Sequence, residues 1–361
     1  MGTTRTPAVN YHAAADGFGR RMLDTLNGAA SALMLSVGHR TGLFDVLSDG
    51  VPRTSQGLAD RAGLSERYVR EWLGALACAK VVTHDAEQRT YRLPPEHAAF
   101  LARAAVPNNI AALAQWVAVL AAAESQVVEA FRHGRGVPYS AYPRFHEVME
   151  DQSAQTTLAG LDEHIVPLVP GLERALEDGI DAADVGCGRG RAVLRLAERY
   201  PRSRFTGIDF SAEAVAEARG AAGRTGLRNA SFEVHDASIW SRPKSFDWVV
   251  TFHAMHDQAD PPRALSNIHA ALRPGGVYLM QDMAAETDVR DNLDHAMGPF
   301  VYTVSCMHCV SVSLACGGAG LGAAWGRQRA LSMLADAGFT DVTVRQLPHD
   351  TMNFYYVAHK P

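Results

Sequence analysis

Three glycines stand within five positions where the sequence passes from a predicted strand into a predicted helix. In "DVGCGRG", Gly186, Gly188 and Gly190 carry no Cβ to separate a ligand from the backbone. The helix that follows directs free N–H groups to the same place. Asp209 ends the next predicted strand, where its carboxylate can accept hydrogen bonds from a ribose diol. The spacing therefore indicates a ligand that contains a nucleoside.

The residues around this turn distinguish two such ligands. A dinucleotide site of the G-x-G-x-x-G type needs its third glycine where this sequence has Arg191. The pattern here is D-x-G-x-G-x-G, and its first residue, Asp184, can pair with an ammonium group rather than a pyrophosphate. S-adenosylmethionine (SAM) carries ribose, adenine and an amino-acid tail but no phosphate. We therefore expect SAM as the cofactor and methyl transfer as the reaction.

Two histidines and an aspartate follow the fourth predicted strand, in "TFHAMHDQADPP". Methyl transfer to a hydroxyl or a thiol needs a base for the acceptor's proton, and a positioned base contributes about 10²–10⁴-fold. Histidine changes charge near neutral pH, so His256 and His253 are the candidate bases, with Asp257 beside them. An alternative interpretation is that His253 caps the helix that follows.

The glycine turn, Asp209 and the two histidines each follow or end a predicted strand, so they can form one site only if these strands end at the same edge of a sheet. From residue 180 onward strands alternate with helices, which is typical of a parallel sheet with helices on both faces. Two late strands follow a helix at 327–337. The predicted strands are Ile180–Val185, Arg204–Ile208, Ser231–His235, Phe246–Phe252, Val277–Met283, Thr340–Gln346 and Phe354–His359.

The N-terminal part predicts a winged-helix unit, that is, three helices followed by a hairpin. Apolar residues recur at helical spacing over 17–47, and two more helices follow, the second with one apolar face made of Val69, Trp72, Leu73 and Leu76. "VVTHDAEQRTYRL" alternates on both sides of a polar turn, which predicts the hairpin. We expect three segments: a winged-helix dimerisation domain at 1–97, a helical connector covering the active site at 98–175, and a SAM-binding Rossmann-like domain at 176–361.

From about Ile180 to its end the chain resembles the class I SAM-dependent methyltransferases, whose most specific motif matches Asp184–Gly190. The resemblance implies an α/β, Rossmann-like domain of seven strands, the late strands fitting the family's antiparallel seventh strand. It also implies that Asp184 lies near the amino group of SAM and that Gly186 and Gly188 line the methionine part. The cofactor site expected from the motif and the resemblance is Asp184, Gly186, Cys187, Gly188, Gly190, Asp209, Phe210, Asp236, Ala237 and Phe252.

The resemblance gives roles to four further members of this set. Asp209 would hold the ribose hydroxyls, and Phe210 would lie against the adenine. Asp236 and Ala237, in "VHDAS", match the position that touches the adenine amino group.

A second resemblance gives His256 a specific role. "HDQADPPRAL" is similar to the "HDWSDEXC" stretch of plant-type small-molecule O-methyltransferases, in which the histidine is the catalytic base. Gln258 and Pro261 depart from that pattern. The order of winged helix, helical connector and SAM domain is also theirs, and "GLFDVL" and "AGFTDVTV" resemble a group of bacterial winged-helix methyltransferases. The resemblance implies a homodimer, formed through the N-terminal domain, that methylates a hydroxyl of a small aromatic or apolar molecule.

The segment 291–322 interrupts the regular alternation, so we expect it to cover the methyl acceptor. Cys306-x-x-Cys309 with His308 suggests a metal, but no second ligand pair at zinc spacing accompanies it. Buried packing cysteines are favoured and no metal is expected. The histidines could instead hold a thiol, so S-methylation of a small-molecule thiol is the alternative reaction. The expected acceptor residues are His295, Tyr302, Met307, His308 and Trp325.

The composition argues against other classes of protein. The 361 residues are 47% hydrophobic and 20% charged, with a formal net charge of −5, so they predict a globular protein without a basic footprint for nucleic acid. Five scattered cysteines indicate a reducing cytoplasm. Neither a signal peptide nor a membrane span is predicted.

The competing function is a SAM-sensing regulator, because winged helices commonly bind DNA. From Arg40 to Arg92, however, the sequence has eight basic and seven acidic residues, and the would-be recognition helix at 66–78 contains both basic and acidic side chains. DNA affinity needs several phosphate contacts, so dimerisation is favoured over DNA binding. A non-catalytic scaffold is a third hypothesis, which the intact Gly186–Gly190 and Asp209 argue against.

Overall fold

The computed structural model describes residues 11–107 and 109–361. The chain divides into two compact units, Met1–Ala118 and Val119–Pro361. Helix α7 (Gln115–His133) runs through the boundary between them.

The N-terminal unit consists of helices and one short hairpin. Trp72 is central to its core, since its ring lies 5.3 Å from that of Phe44 and its Nε1–H donates to the Met34 carbonyl oxygen at 2.8 Å. The predicted face of Val69, Trp72, Leu73 and Leu76 is buried, which confirms that pattern. The elements are α1 (Tyr11–Thr41), α2 (Leu43–Leu47), α3 (Ser55–Ala62), α4 (Glu66–Cys78), β1 (Thr83–Asp85), β2 (Thr90–Arg92), α5 (Pro95–Leu101) and α6 (Ile110–Leu113).

The C-terminal unit is built on a seven-stranded sheet, as predicted. The strands are β3 (Asp181–Val185), β4 (Arg204–Asp209), β5 (Ala230–Val234), β6 (Phe246–Phe252), β7 (Leu272–Met283), β8 (Thr340–Leu347) and β9 (Asp350–His359). Their order is β5-β4-β3-β6-β7-β9-β8. The first five in this order are parallel, and β9 is antiparallel to both β7 and β8. The chain order reverses between β3 and β6, where open parallel sheets bind their ligands.

Helices cover the sheet and connect its strands. They are α8 (Phe145–Ser153), α9 (Leu172–Asp178), α10 (Arg191–Arg199), α11 (Ala212–Thr225), α12 (Pro261–Ala271), α13 (Gly298–Val304), α14 (Val310–Ala315) and α15 (Arg327–Asp336). π-helical turns follow α8 at Ala154–Leu158 and Leu161–Ile165, and another joins α13 to α14 at Ser305–Cys309. Such turns in helices are frequent at functional sites.

Both faces of the sheet are buried, which explains its continuous apolar strands. On β3, Ala182 packs into one hydrophobic core, and Ala183 and Val185 pack into the other. Asp184 shares the face of Ala182 because side chains alternate along a strand. A carboxylate therefore stands on a buried face of the sheet, at the end of its central strand.

Two helical stretches, Ile110–His133 and Gly298–Ala315, are long and apolar enough to cross a membrane. Half of each stretch is buried within the protein, and core helices of soluble proteins pass the same test of length and composition.

Candidate functional site

The turn after β3 exposes backbone at the centre of the sheet edge. The N–H groups of Gly186 and Cys187 both donate to the Ile208 carbonyl oxygen, at 2.7 and 3.0 Å, which holds the turn against β4. Gly186 has φ +80°, and a Cβ there would stand 2.3 Å from the Cβ of Ala254. A Cβ on Gly188 (φ +52°) would meet no atom within 4 Å. Gly186 is thus required by packing, whereas Gly188 presents bare backbone to open space.

Asp184 is a buried acid with one oxygen, Oδ1, that accepts no hydrogen bond from the described residues. Burial, with a smaller contribution from the nearby Asp209 carboxylate, raises the pKa of Asp184 to about 8. The side chain lines a cavity together with Gly186 and Gly188. A cationic group in that cavity would satisfy Oδ1 and favour the ionised acid. The residues therefore fit the ammonium group of an amino-acid tail such as that of SAM.

Asp209 is fixed at the end of β4 by two backbone hydrogen bonds. The N–H of Gly188 donates to Oδ2 and that of Ser211 to Oδ1, both at 2.8 Å. Burial raises the pKa of Asp209, and these two hydrogen bonds oppose part of the rise. The carboxylate joins the glycine turn to the start of α11, and each oxygen retains acceptor capacity for a ribose hydroxyl.

Beyond Asp209 the site becomes aromatic. Phe210 is 57% exposed, and its ring centroid lies 5.7 Å from that of Tyr139. After β5, Oδ1 of Asp236 accepts hydrogen bonds from the N–H and the hydroxyl of Ser238, at 2.8 and 2.7 Å, and Ala237 is buried. Two exposed surfaces, one aromatic and one carrying an acid, thus follow the neighbouring strands β4 and β5.

Helix α8 lines the cavity as well, although no motif in its sequence indicates this. Glu150 on α8 forms ion pairs with Arg189 of the glycine turn, at 2.8 Å, and with Arg191 at the start of α10. These contacts depend on tertiary packing, which no spacing in "FHEVMEDQS" specifies. The cavity residues missed from the sequence are His146, Met149, Glu150, Gln152, Ser153, Thr157, Arg189, Arg191 and Ala192.

His256 forms a buried dyad with Asp282. His256 follows strand β6, and Asp282 lies near the end of the neighbouring parallel strand β7. Nδ1 of His256 lies 2.7 Å from Oδ1 of Asp282. Asp257 Oδ1 is 3.5 Å from the other ring nitrogen, Nε2. Burial alone would lower the pKa of His256, but the carboxylates of Asp282 and Asp257 outweigh burial and raise it well above 6.5. Asp282 orients the ring and would stabilise its protonated form.

His253 connects this dyad to the cavity. It lines the cavity, and its ring centroid is 6.5 Å from that of His256. Its backbone adopts a left-handed conformation, φ +54°, which is uncommon for a residue other than glycine. Burial lowers the pKa of His253, so the ring is neutral. The capping interpretation is wrong, because Asp260 caps α12 through a hydrogen bond from the N–H of Arg263 at 3.1 Å.

The segment expected to cover the acceptor contributes to an aromatic cluster around His308, which lies in the π-turn between α13 and α14. The His308 ring stacks on Phe145 at 4.3 Å and contacts Tyr139 and Tyr142 edge-on at 5.4 and 4.8 Å. Burial lowers the pKa of His308 to about 4, so this imidazole is neutral. The neighbouring Met307 accepts a hydrogen bond from the Tyr142 hydroxyl through its backbone oxygen. Tyr139 links this cluster to Phe210.

The three other expected acceptor residues make contacts away from the His308 cluster. His295 Nε2 lies 2.7 Å from the Ala284 carbonyl oxygen, and its Nδ1 accepts from the Met297 N–H at 3.0 Å. The Tyr302 hydroxyl accepts a hydrogen bond from Asn292 at 3.1 Å. Trp325 is buried in a hydrophobic core.

The structure brings together half of the predicted cofactor residues. Asp184, Gly186, Cys187, Gly188 and Phe252 line the cavity, with His253 beside them. Gly190, Asp209, Phe210, Asp236 and Ala237 are not among the residues that line it. Gly190 instead allows close packing, since a Cβ there would stand 2.3 Å from the Phe232 ring.

Comparison with known families agrees with this architecture. Residues 29–103 match the Rv2258c-like winged HTH domain, and residues 176–346 match a methyltransferase domain. The chain joins a winged-helix domain to a methyltransferase domain. The resemblance drawn from "DVGCGRG" is thereby confirmed.

Curated relatives match this chain over part of their length. A trans-aconitate 2-methyltransferase of Deinococcus radiodurans is 37% identical over 113 residues, which are 31% of this chain and 39% of the relative. One from Rhodopseudomonas palustris is 30% identical over 147 residues, 40% of this chain and 53% of the relative. The chain thus spans about two fifths to one half of the length of these relatives.

Solved structures match the whole chain at low identity. Human N-acetylserotonin methyltransferase in complex with SAM has a TM-score of 0.68 and 18% identity, covering 100% of this chain and 99% of that one. Mitomycin 7-O-methyltransferase has a TM-score of 0.69 and 19% identity, covering 96% and 99%. These similarities confirm the fold.

Proposed function

We propose that this protein is a SAM-dependent methyltransferase acting on a hydroxyl of a small aromatic or apolar molecule, with His256 as general base. The observation that carries the proposal is the His256–Asp282 dyad beside a cavity that holds bare glycine backbone and the buried Asp184. SAM, when bound, supplies an electrophilic methyl group, and its nucleoside and amino-acid parts suit Asp209 and Asp184.

His256 and Asp282 have different roles in removing the proton of the acceptor hydroxyl. With Nδ1–H donated to Asp282, Nε2 of His256 keeps the lone pair that accepts the hydroxyl proton. That proton passes from the acceptor hydroxyl to Nε2, and the buried Asp282 stabilises the resulting imidazolium. Burial of the dyad also excludes water, which strengthens this charge interaction.

The aromatic cluster supports an aromatic or apolar acceptor. Phe145, Tyr139 and Tyr142 surround a neutral His308 and offer flat apolar surfaces with few polar points. Met307 lies in the same π-turn. We propose that His308 and Met307 contact the acceptor, and that His295, Tyr302 and Trp325 hold the covering segment in place.

The relatives and the ion pairs of α4 favour an enzyme over a regulator. Arg70 pairs with Glu66 at 2.7 Å, and Arg67 pairs with Glu71, so both arginines of the would-be recognition helix are neutralised on their own helix. Few phosphate contacts remain for DNA. We also place the protein in the cytoplasm, because all five cysteines are free thiols.

The test is turnover with a panel of small acceptors. Full-length protein, SAM and matched phenols, aliphatic alcohols and thiols are incubated, and each product is identified by mass spectrometry. Methylation of phenols over their thiol analogues is the expected result. Preference for the thiols would establish the alternative S-methyltransferase, and SAM binding without turnover on any acceptor would contradict the proposal.

We propose that the N-terminal unit forms a homodimer through α1. Six apolar side chains on one face of this helix are 39–67% exposed: Phe18, Met22, Leu23, Leu26, Leu33 and Val37. An apolar stripe of this extent on a soluble chain marks an association surface, and a second copy of the same helix matches it.

Met22→Glu with Leu26→Glu is expected to convert the dimer to a monomer, because two charges would be buried in the interface. Light scattering coupled to size exclusion measures the mass. Tyr68→Glu is the control, since this side chain on α4 is 80% exposed and lies outside the stripe. A dimer that survives the double substitution would exclude α1 as the interface.

A further inference from the structure

Three donor atoms of different chemistry meet beside the proposed base. A ring nitrogen of His256, a carboxylate oxygen of Asp257 and Sγ of Cys309 all lie within 4.8 Å of one another. His256 and Asp257 follow β6 together, whereas Cys309 comes from the π-turn between α13 and α14. We propose that these three side chains form a binding site for a soft divalent cation, with Zn²⁺ as the ion that fits best.

The spacing of two of the donors suits a tetrahedral ion. Nε2 of His256 and Oδ1 of Asp257 are 3.5 Å apart. Two ligands at about 2.0–2.2 Å from a tetrahedral Zn²⁺ stand roughly 3.4 Å from each other. The histidine and the aspartate are therefore already separated as zinc requires, and the sulfur completes three protein ligands.

Asp282 provides the outer partner that metal-bound histidines usually have. It accepts a hydrogen bond from Nδ1 of His256 at 2.7 Å, so the lone pair of the ring is on Nε2, which lies 3.5 Å from Oδ1 of Asp257. This observation is independent of the cluster itself, because Asp282 is not one of the three donors.

The donor set selects the class of ion. A thiolate, an imidazole and a carboxylate suit Zn²⁺, whereas Mg²⁺ and Ca²⁺ prefer oxygen ligands throughout. Cys309 is buried and His256 keeps 5% of its side-chain surface, while Asp257 keeps 16%, so the ion would reach the site past Asp257. Cys306 and His308, which precede Cys309 in the same π-turn, are not members of this cluster.

Occupancy of the site has a consequence for turnover. The ion takes the lone pair of Nε2 that would accept the proton of the acceptor, and the thiol proton of Cys309 leaves to solvent without any change of oxidation state. Zn²⁺ is therefore a reversible inhibitor of methyl transfer. Metal uptake is measured without turnover, so it succeeds or fails independently of the proposed function.

The test begins with full-length protein freed of metal by a chelator and titrated with Co²⁺. Uptake of one ion per chain is expected, with a thiolate-to-cobalt charge-transfer band in the near ultraviolet that added Zn²⁺ abolishes by displacement. Cys309→Ser should lose the band, and Asp282→Asn should weaken uptake by about 10–100-fold. Cys306→Ser, the matched control from the same π-turn, should keep both uptake and band.

Several results would overturn the site: no stoichiometric uptake, a thiolate band that persists in Cys309→Ser, or its loss in Cys306→Ser. If circular dichroism shows that Cys309→Ser does not fold, Asp257→Asn decides, because this isosteric change should weaken uptake and leave the thiolate band. Wild-type affinity in that variant would contradict the proposal. Full turnover by zinc-loaded protein would contradict the inhibitory role.

Discussion

Replacing His256 with alanine is expected to lower kcat by about 10²–10⁴-fold, the contribution of a positioned base. The acceptor's proton then has no side chain to receive it, whereas the glycine turn and Asp184 remain intact. SAM affinity should therefore be unchanged. Single-turnover kinetics measure the chemical step, and calorimetry with SAM measures binding. Unchanged turnover in a variant that still binds SAM would reject His256 as the base.

The Asp282→Asn substitution tests the role of Asp282 as a positioning residue while leaving His256, the proposed base, in place. The carboxylates of Asp282 and Asp257 raise the pKa of His256 above 6.5, and a base acts only when neutral. Turnover of the wild type should therefore rise with pH and level off above the raised pKa. With asparagine at 282, the pKa of His256 falls and the acid limb of the kcat profile moves to lower pH, with a smaller maximum. A merely structural role for Asp282 would lower kcat without moving the limb.

The same pKa links the dyad to stability. A histidine whose pKa is raised by folding stabilises the protein fully below its unfolded value, and the stabilisation is lost as pH rises through the folded pKa. Thermal unfolding of the wild type should therefore show this contribution below pH 6.5 and lose it as pH rises through the raised pKa of His256.

The sheet and the glycine turn could be predicted because local patterns specify them. Alternating apolar strands and amphipathic helices gave all seven strands of the main sheet, and Gly186 and Gly188 marked the turn that lines the cavity. Two boundaries differ by four or five residues: β9 begins at Asp350 rather than Phe354, and β7 begins at Leu272 rather than Val277. Its residues Arg273–Gly276 carry proline and glycine, which period-2 patterning does not recognise as strand.

The partners of the site residues could not be predicted, because they come from elements distant in sequence. In the sequence nothing distinguishes Asp282 from other strand residues. The parallel pairing of β6 with β7 places it next to His256. Glu150 reaches the glycine turn from α8, and Cys309 approaches His256 from a π-turn. A single sequence records which residues can do chemistry, and tertiary packing decides which of them meet.

Asp184→Asn is expected to weaken SAM binding by about 150- to 5,000-fold, because breaking a buried charge pair costs about 3–5 kcal/mol. The pKa of Asp184, about 8, also makes SAM binding depend on pH. Below it the carboxyl is mostly protonated, and it must ionise to pair with the ammonium group. Wild-type affinity should fall by about tenfold per pH unit below pH 8, with proton release on binding.

Calorimetry in buffers of different ionisation enthalpy measures both the affinity and the released proton. The asparagine variant should show neither the pH dependence nor the proton release, because it has no group to ionise. Asp260→Asn is the matched control: it is an acid of the same domain whose side chain caps α12, and asparagine caps a helix equally well. If Asp184→Asn binds SAM as tightly as the wild type, or if wild-type affinity is flat with pH, the buried acid does not hold the amino group. The glycine turn would then have to bind the cofactor through its backbone alone.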